Sequence, residues 1–524
     1  MVTTVETPDA PALAPSQSFG GRTARLVLGA AVLAVLAVSL VLRFWTRSDL
    51  WLDEALTANI AALPIHQIPA ALRRDGAPPL FYVLLHVWMG LFGTSNLAVR
   101  SLPGLFGVAT LPLAWLAGRR LGGRPVAWAA LLLVATSPFA VYYDTEARMY
   151  AMVAFLVAVG FFAVDRALQK PRPGNLVATA LVTALLLYSH YWSMYLVAVV
   201  GAWLLWQAWR GRPEWRRPAL GTFAAVAVGA LAFLPWVPIF LYQAKHTGTP
   251  WAVPASFAAM VNAVTSFAGG PTSQGRALAL LYFACCGLGL FGVARDHRTI
   301  ELDLRTRPVA RPVAIITGAT LAAAIAGGLV SHSAFSPRYA SVVFVPLILL
   351  VALGVGTFNS TRVRHGVLAV AVLAGLAGAV PNVTTSRTQA GEVAAALAAE
   401  ARPGDIVAYC PDQLGPSVNR LLPAGRYRQV TFPRGTGPAF VDWVDYAKAS
   451  AAGNPAAFAA ELERWAGTTH QIWLVWAPGY QTFGTKCESI ETHLLADHHL
   501  GAHEVFPLSH VYQPMELVQF APSP

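Results

Sequence analysis

Trp51-Leu52-Asp53-Glu54-Ala55-Leu56-Thr57 sets two adjacent carboxylates directly after the first long apolar run of the chain. Further on comes Asp75-Gly76-Ala77-Pro78-Pro79-Leu80-Phe81-Tyr82, which opens a second, shorter apolar run over 79–92. Whether that second run crosses a membrane decides the fold. Only 12% of the 524 residues are charged and 56% are hydrophobic, where a soluble chain carries about 25% charged residues. The apolar residues fall in repeated blocks of roughly twenty, the length that spans the hydrocarbon core of a bilayer. The chain therefore reads as a polytopic α-helical membrane protein, with the lipid bilayer as its surroundings.

The 79–92 run is about fourteen residues long, short for a span and suited to an interfacial helix. The basic loops arbitrate. Arginine and lysine concentrate at 119–124, 166–172, 210–217, 295–311 and 362–364. If 79–92 crosses, the first three of these face outward, against the positive-inside rule. If it lies in the outer interface, all of them face the cytoplasm. The second option gives a cytoplasmic N-terminus and about eleven spans, at 25–45, 97–118, 125–143, 148–168, 175–189, 191–209, 219–240, 275–294, 313–330, 339–357 and 366–380. Residues 46–96 then form one outer loop with interfacial helices. The same placement explains the net charge of +11 without nucleic acid, since no basic stripe is interleaved with exposed aromatics.

Three regions follow. Residues 1–21, rich in Pro, Ser and Thr, read as a disordered cytoplasmic tail. Residues 22–380 form the membrane domain. Residues 381–524 lose the long apolar runs and read as a soluble extracytoplasmic α/β domain. Its expected strands are 405–409, 471–476 and 516–520, and its expected helices 392–401, 456–466 and 489–495. Cys285 and Cys286 sit in an apolar block as packing residues. Cys410 and Cys487 lie in the outer domain, where pairing is open to them. No cysteine pair has zinc spacing.

The ionisable residues without an anchoring role crowd the outer loops. Asp53 and Glu54 read either as a solvated loop pair or as a catalytic pair, in which a carboxylate near apolar surface serves as general base. Asp75, before the two prolines, is either a turn residue or a second carboxylate of the same cavity. Tyr142-Tyr143-Asp144-Thr145-Glu146-Ala147-Arg148-Met149-Tyr150 packs Asp144, Glu146 and Arg148 between two spans. That pattern fits an internal ion pair or a phosphate site, and charge at membrane depth is costly enough to favour function. His190 stands at an outer helix junction, where a structural hydrogen bond is the plainer reading. Lys245 and His246 read as interfacial anchors or phosphate contacts. Arg338 and Tyr339, in Ser336-Pro337-Arg338-Tyr339, put an arginine outside against the charge bias, and arginine is well shaped for phosphate. No ligand spacing for a metal is present; no cofactor is expected, and a divalent metal stays open.

At these residues the chain resembles the GT-C glycosyltransferases, within them the protein O-mannosyltransferase and aminoarabinose transferase branch. The resemblance covers about residues 25–350 and is most specific over 51–150. It implies transfer of a sugar, of mannose or arabinose type, from a polyprenyl-phosphate carrier to a glycan, glycolipid or protein acceptor of the cell envelope. The transfer would take place on the outer face of the plasma membrane, by inverting displacement. It also implies that Asp53 is the base, with Glu54 its neighbour in the motif. Asp144 and Glu146 would form the second acidic site, and Arg338 would lie near the carrier phosphate. One departure stands out: Gly76-Ala77 precedes the two prolines where that branch would place an acid or base. A lipid-linked glycan flippase is the alternative of another class, and it would spread ionisable residues through the bilayer midplane.

Overall fold

A computed structural model of the chain describes residues 19–248, 255–331, 335–496 and 500–522. Residues 1–18 of the expected tail lie outside the described residues, and the first helix begins at Phe19. Among the described residues, eight helices are long and apolar enough to cross a membrane. The protein is a multi-pass membrane protein. That measure gives fewer than the eleven expected, for three local reasons. The run Asn96–Thr136 holds both spans expected at 97–118 and 125–143, and its helix breaks between them where Gly122 and Gly123 leave helical geometry and Gly123 takes φ 74°. Helix Pro173–Ser189 has 17 residues, at the lower end of spanning length. Helix Ser193–Arg210 has 18, with Gln207 and Arg210 in its last turn.

Helix Pro337–Thr357 is the spine of the bundle, with 89% of its most apolar window buried, against 11% for the first helix. It packs against Ser273–Phe291 at backbone distance. A Cβ on Gly354 would meet the Cys285 carbonyl oxygen at 1.8 Å, and one on Gly289 would meet that of Leu350 at 2.4 Å. Small residues are what let membrane helices approach this closely, where no hydrophobic force drives them together.

The outer loop is helical. Leu52–Ala61, Ile68–Asp75 and Leu80–Phe92 follow one another. Gly76 ends the second with φ 92°, a left-handed cap that glycine takes without strain. The third has 13 residues and so is about 20 Å long, well under the hydrocarbon thickness.

The C-terminal domain holds a five-stranded sheet. A short hairpin, β1 (Gly292–Ala294) with β2 (Ile300–Leu302), precedes it in the chain. In the sheet, β3 (Ile406–Cys410) lies between β4 (Arg428–Thr431) and β5 (Ile472–Trp476), all parallel. β7 (Glu516–Pro522) and then β6 (Leu500–Phe506) extend the β5 edge antiparallel. Every residue of β3 and β5 is buried, as helix-covered parallel strands require. The expectation missed β4 and β6. Cys410, at the end of β3, forms a disulfide with Cys487 on helix Lys486–Ala496.

Candidate active site

Helix Leu52–Ala61 presents Asp53 and Glu54 in its first turn, where the helix dipole favours carboxylates. Adjacent helical positions point about 100° apart, and the two side chains part company. Asp53 Oδ2 accepts a hydrogen bond from Arg338 Nη1 at 2.7 Å, and both side chains keep some exposure. Glu54 is fully buried. Arg100 clasps it with both arms of its guanidinium, Nε to Oε1 at 2.7 Å and Nη2 to Oε2 at 2.5 Å. The Ala147 amide donates to Oε1 at 2.9 Å, and Arg387 Nη1 lies 3.9 Å from Oε2. Glu54 therefore ties the outer loop to the membrane helices and to the 144–148 turn, while Asp53 faces the open side.

The acidic turn divides in the same way. Asp144 turns into the bundle, its Oδ2 2.8 Å from Arg43 Nε. Arg43 in turn donates to the carbonyls of Ser39, Val134 and Ala135. Gly107 makes room for this carboxylate, since a Cβ there would stand 2.2 Å from Asp144 Cγ. Arg148 reaches back across the site, donating to Thr57 Oγ1 at 2.9 Å and to the Tyr82 hydroxyl at 3.1 Å. Tyr82 donates onward to Asp75 Oδ2 at 2.6 Å. Burial raises the Asp75 carboxyl above its usual range, with Arg148 opposing.

Glu146 is buried, and neither carboxylate oxygen has a hydrogen-bond partner among the described residues. Trp51 Nε1, Arg148 Nε and Arg338 Nε are buried without partners in the same way. Unpaired buried polar atoms are rare enough in folded proteins to call for an explanation, and a polar ligand is one. Burial, with Arg387 opposing and Glu54 adding, pushes the Glu146 carboxyl up to about 7. A carboxyl raised this far binds its proton more tightly folded than unfolded. Its contribution to stability is full below about pH 4 and falls as the pH rises toward 7. Asp412 and Glu516 are also pushed up to about 7, so the comparison must be with Glu146→Gln. Wild-type melting temperature is expected to fall relative to that variant between pH 5 and 8. Parallel melting curves would show that Glu146 does not titrate there.

His190 packs between Tyr150 and Tyr339, with ring centroids 5.8 and 5.3 Å away. Its Nδ1 accepts from the Trp192 amide at 3.1 Å. Burial first, then Arg148 and Arg338, drives its ionisation down to about 3, so it is neutral at working pH and brings no positive charge. Tyr339 lies under the Arg338 guanidinium, 5.6 Å from ring centre to carbon.

Two of the sequence candidates stand apart from this group. Lys245 is exposed, with no ion pair or hydrogen bond among the described residues. His246 stacks on Tyr242 and sits 3.2 Å from Asp445 of the C-terminal domain, a contact between domains.

The residues missed by the sequence reading are the partners: Arg43, Arg100, Arg387, Tyr82 and Tyr512. Arg43, a lone arginine at the outer end of the first span, carried a usable signal. Arg387 is buried over the Tyr142 ring at 4.2 Å and donates to Thr145. The C-terminal domain supplies the last wall. Gln513 Oε1 accepts from the Leu52 amide at 3.2 Å, capping the helix that carries Asp53, and Tyr512 meets Trp51 edge to face at 4.9 Å.

Among the described residues no three His, Cys, Asp or Glu side chains converge on one point. Asp53, Glu54 and Asp144 are each paired with an arginine and Asp75 with a phenol.

Residues 76–239 match the family of dolichyl-phosphate-mannose-protein mannosyltransferases. No curated protein sequence matches the chain. Among solved structures, ArnT from Cupriavidus metallidurans bound to undecaprenyl phosphate superposes with a TM-score of 0.55 at 15% identity, over 96% of this chain and 98% of that one. Its apo state gives 0.54 at 16% identity, over 95% and 98%. The oligosaccharyltransferase of Archaeoglobus fulgidus, in complex with zinc and sulfate, gives 0.50 at 13% identity, over 91% and 72%. The fold is therefore the one these solved structures share, a bundle of membrane helices followed by a C-terminal domain, here built on a sheet.

Proposed function

We propose that the protein moves a sugar from a polyprenyl-phosphate carrier to a hydroxyl of a cell-envelope acceptor, with Asp53 as general base. The observation that carries this is the Asp53–Arg338 pair, partly exposed and ringed by buried polar atoms that lack partners. In the reaction the acceptor hydroxyl gives its proton to the Asp53 carboxylate. The freed oxygen lone pair forms the new bond to the anomeric carbon from the side opposite the carrier. The bond from that carbon to the phosphate oxygen breaks, its electron pair staying on the phosphate, and the configuration inverts. Arg338 and Arg148 stand ready to hold the charge that builds on the leaving phosphate, the electrostatic contribution that usually dominates such steps. The phosphate would compete with Asp53 for Arg338, so that donor binding frees the base.

An apolar cavity of about 600 Å³ suits the prenyl chain. Its wall includes Leu186 and Val345, one and two helical turns from His190 and Arg338, and it runs to Arg120, Asp165 and Arg212 at the other end. The outer placement of the site in the plasma membrane is supported by the arginine-rich loops on the opposite side. The Cys410–Cys487 disulfide agrees with it, since such bonds persist in oxidising compartments. Residues 22–380 would form the transferase body and 381–524 an outer domain. Mannose fits the sugar through the matched mannosyltransferase family, and an arabinose type through the resemblance to the aminoarabinose transferase branch.

The direct test incubates purified protein with a panel of polyprenyl-phosphate sugars and an envelope extract. Release of polyprenyl phosphate from one of them supports the proposal; release from none sinks it. In the same assay Arg338→Ala is expected to raise the donor KM by about 10- to 100-fold, the worth of a charged hydrogen bond. An unchanged donor KM would remove Arg338 from the phosphate site.

A further inference from the structure

The loop between β6 and β7 is held at both ends by one side chain. Gln389 Oε1 accepts from the Ser509 and Met515 amides at 3.0 and 2.8 Å, and its Nε2 donates to the Pro507 carbonyl at 3.0 Å. Gln513 adds three further ties: its amide donates to the Arg387 carbonyl, its Nε2 to the Gln413 carbonyl, and its Oε1 accepts from Leu52. Between these anchors Tyr512 projects with 66% of its surface exposed. A large exposed ring on a loop fixed so firmly is an arranged surface rather than a stray one. Its one aromatic contact among the described residues is Trp51, two residues before Asp53 and itself buried with an indole N–H that has no partner among them. Through Trp51 the ring stands beside the first turn of the helix that carries Asp53.

The geometry divides the site between two substrates. A carrier phosphate is tethered to the bilayer and must come from the membrane side, where Arg338 rises from the bundle. The C-terminal domain side is left for the acceptor. A sugar ring offers an apolar face of C–H groups and a rim of hydroxyls. An exposed aromatic face takes the first, and buried carboxylates and an indole N–H take the second.

We infer that Tyr512 is the acceptor platform and that the acceptor is itself a glycan, whose terminal ring stacks on Tyr512 with its reactive hydroxyl toward Asp53. This deepens the transferase reading and rests on it for the role of Asp53.

The experiment titrates the full chain in lipid nanodiscs with mannan and arabinan fragments of a few sugars, and with a Ser/Thr-rich peptide, following tryptophan fluorescence. Wild type, Tyr512→Phe, Tyr512→Leu and Asp53→Asn are compared, with melting temperatures for each. A fragment is expected to bind wild type, Tyr512→Phe and Asp53→Asn alike. Tyr512→Leu, which keeps apolar bulk against Trp51, is expected to bind about tenfold more weakly at an unchanged melting temperature. The inference is overturned if no fragment binds, if Tyr512→Leu binds as wild type does, if Tyr512→Phe loses as much as Tyr512→Leu, or if the peptide binds more tightly than every fragment. Tyr512-dependent glycan binding in a protein that turns over no polyprenyl-phosphate sugar would uphold the platform and sink the donor reading.

Discussion

Replacing Asp53 by asparagine is expected to slow sugar transfer by about 10²- to 10⁴-fold, the range that general-base catalysis contributes. The substitution keeps the shape of the side chain, and the amide oxygen can still accept from Arg338. What it removes is the ability to take a proton. Donor affinity is therefore expected to hold or rise slightly, because a phosphate competes more easily with a neutral amide for the guanidinium. The measurement is kcat alongside donor binding in the same preparation. Full turnover by Asp53→Asn would end its assignment as the base. Loss of donor binding would mean that the carboxylate organises the phosphate site rather than acting on the acceptor.

Glu54, one residue on, is expected to fail in another way. Glu54→Ala strands Arg100 and Arg387, which are 2% and 4% exposed. It also removes the acceptor for the Ala147 amide. Breaking a buried ion pair from one side costs about 3–5 kcal/mol, so a sharp fall in melting temperature and yield is expected, with transfer lost as a consequence. Glu54→Asp, which keeps the charge, should recover part of the stability. A Glu54→Ala protein as stable as wild type yet inactive would show that Glu54 takes part in the chemistry. The contrast between two neighbouring carboxylates, one lost in rate and the other in fold, tests the geometry of the whole site.

The membrane character was legible in the sequence, and so was the placement of Asp53, Glu146 and Arg338 beside apolar blocks, for a physical reason. Charge beside long apolar blocks is expensive, so each such residue marks itself. The division of labour was not legible. Asp53 and Glu54 look alike in a string of letters, and they differ only because Arg100 lies 46 positions away and Arg338 lies 285 positions away. Asp144 and Glu146 part for the same reason, since Gly107 opens the space that lets one of them reach Arg43. The boundary between the spans expected at 97–118 and 125–143 was legible too, because the glycine pair at 122–123 interrupts the helix there. Tyr512 sits in a polar stretch that patterning reads only as a loop, and the position of that loop is set by Gln389, more than a hundred residues earlier.

The cap on the Leu52 amide has a consequence for biogenesis. The residue that supplies it, Gln513, follows 461 positions later. A ribosome thus builds the helix that carries Asp53 early and its cap late. Through most of translation the membrane helices can insert and pack while the helix bearing Asp53 still has an open amino end. Only when the sheet domain has folded does the β6–β7 loop supply that cap. The completed cap is then a property of the finished chain.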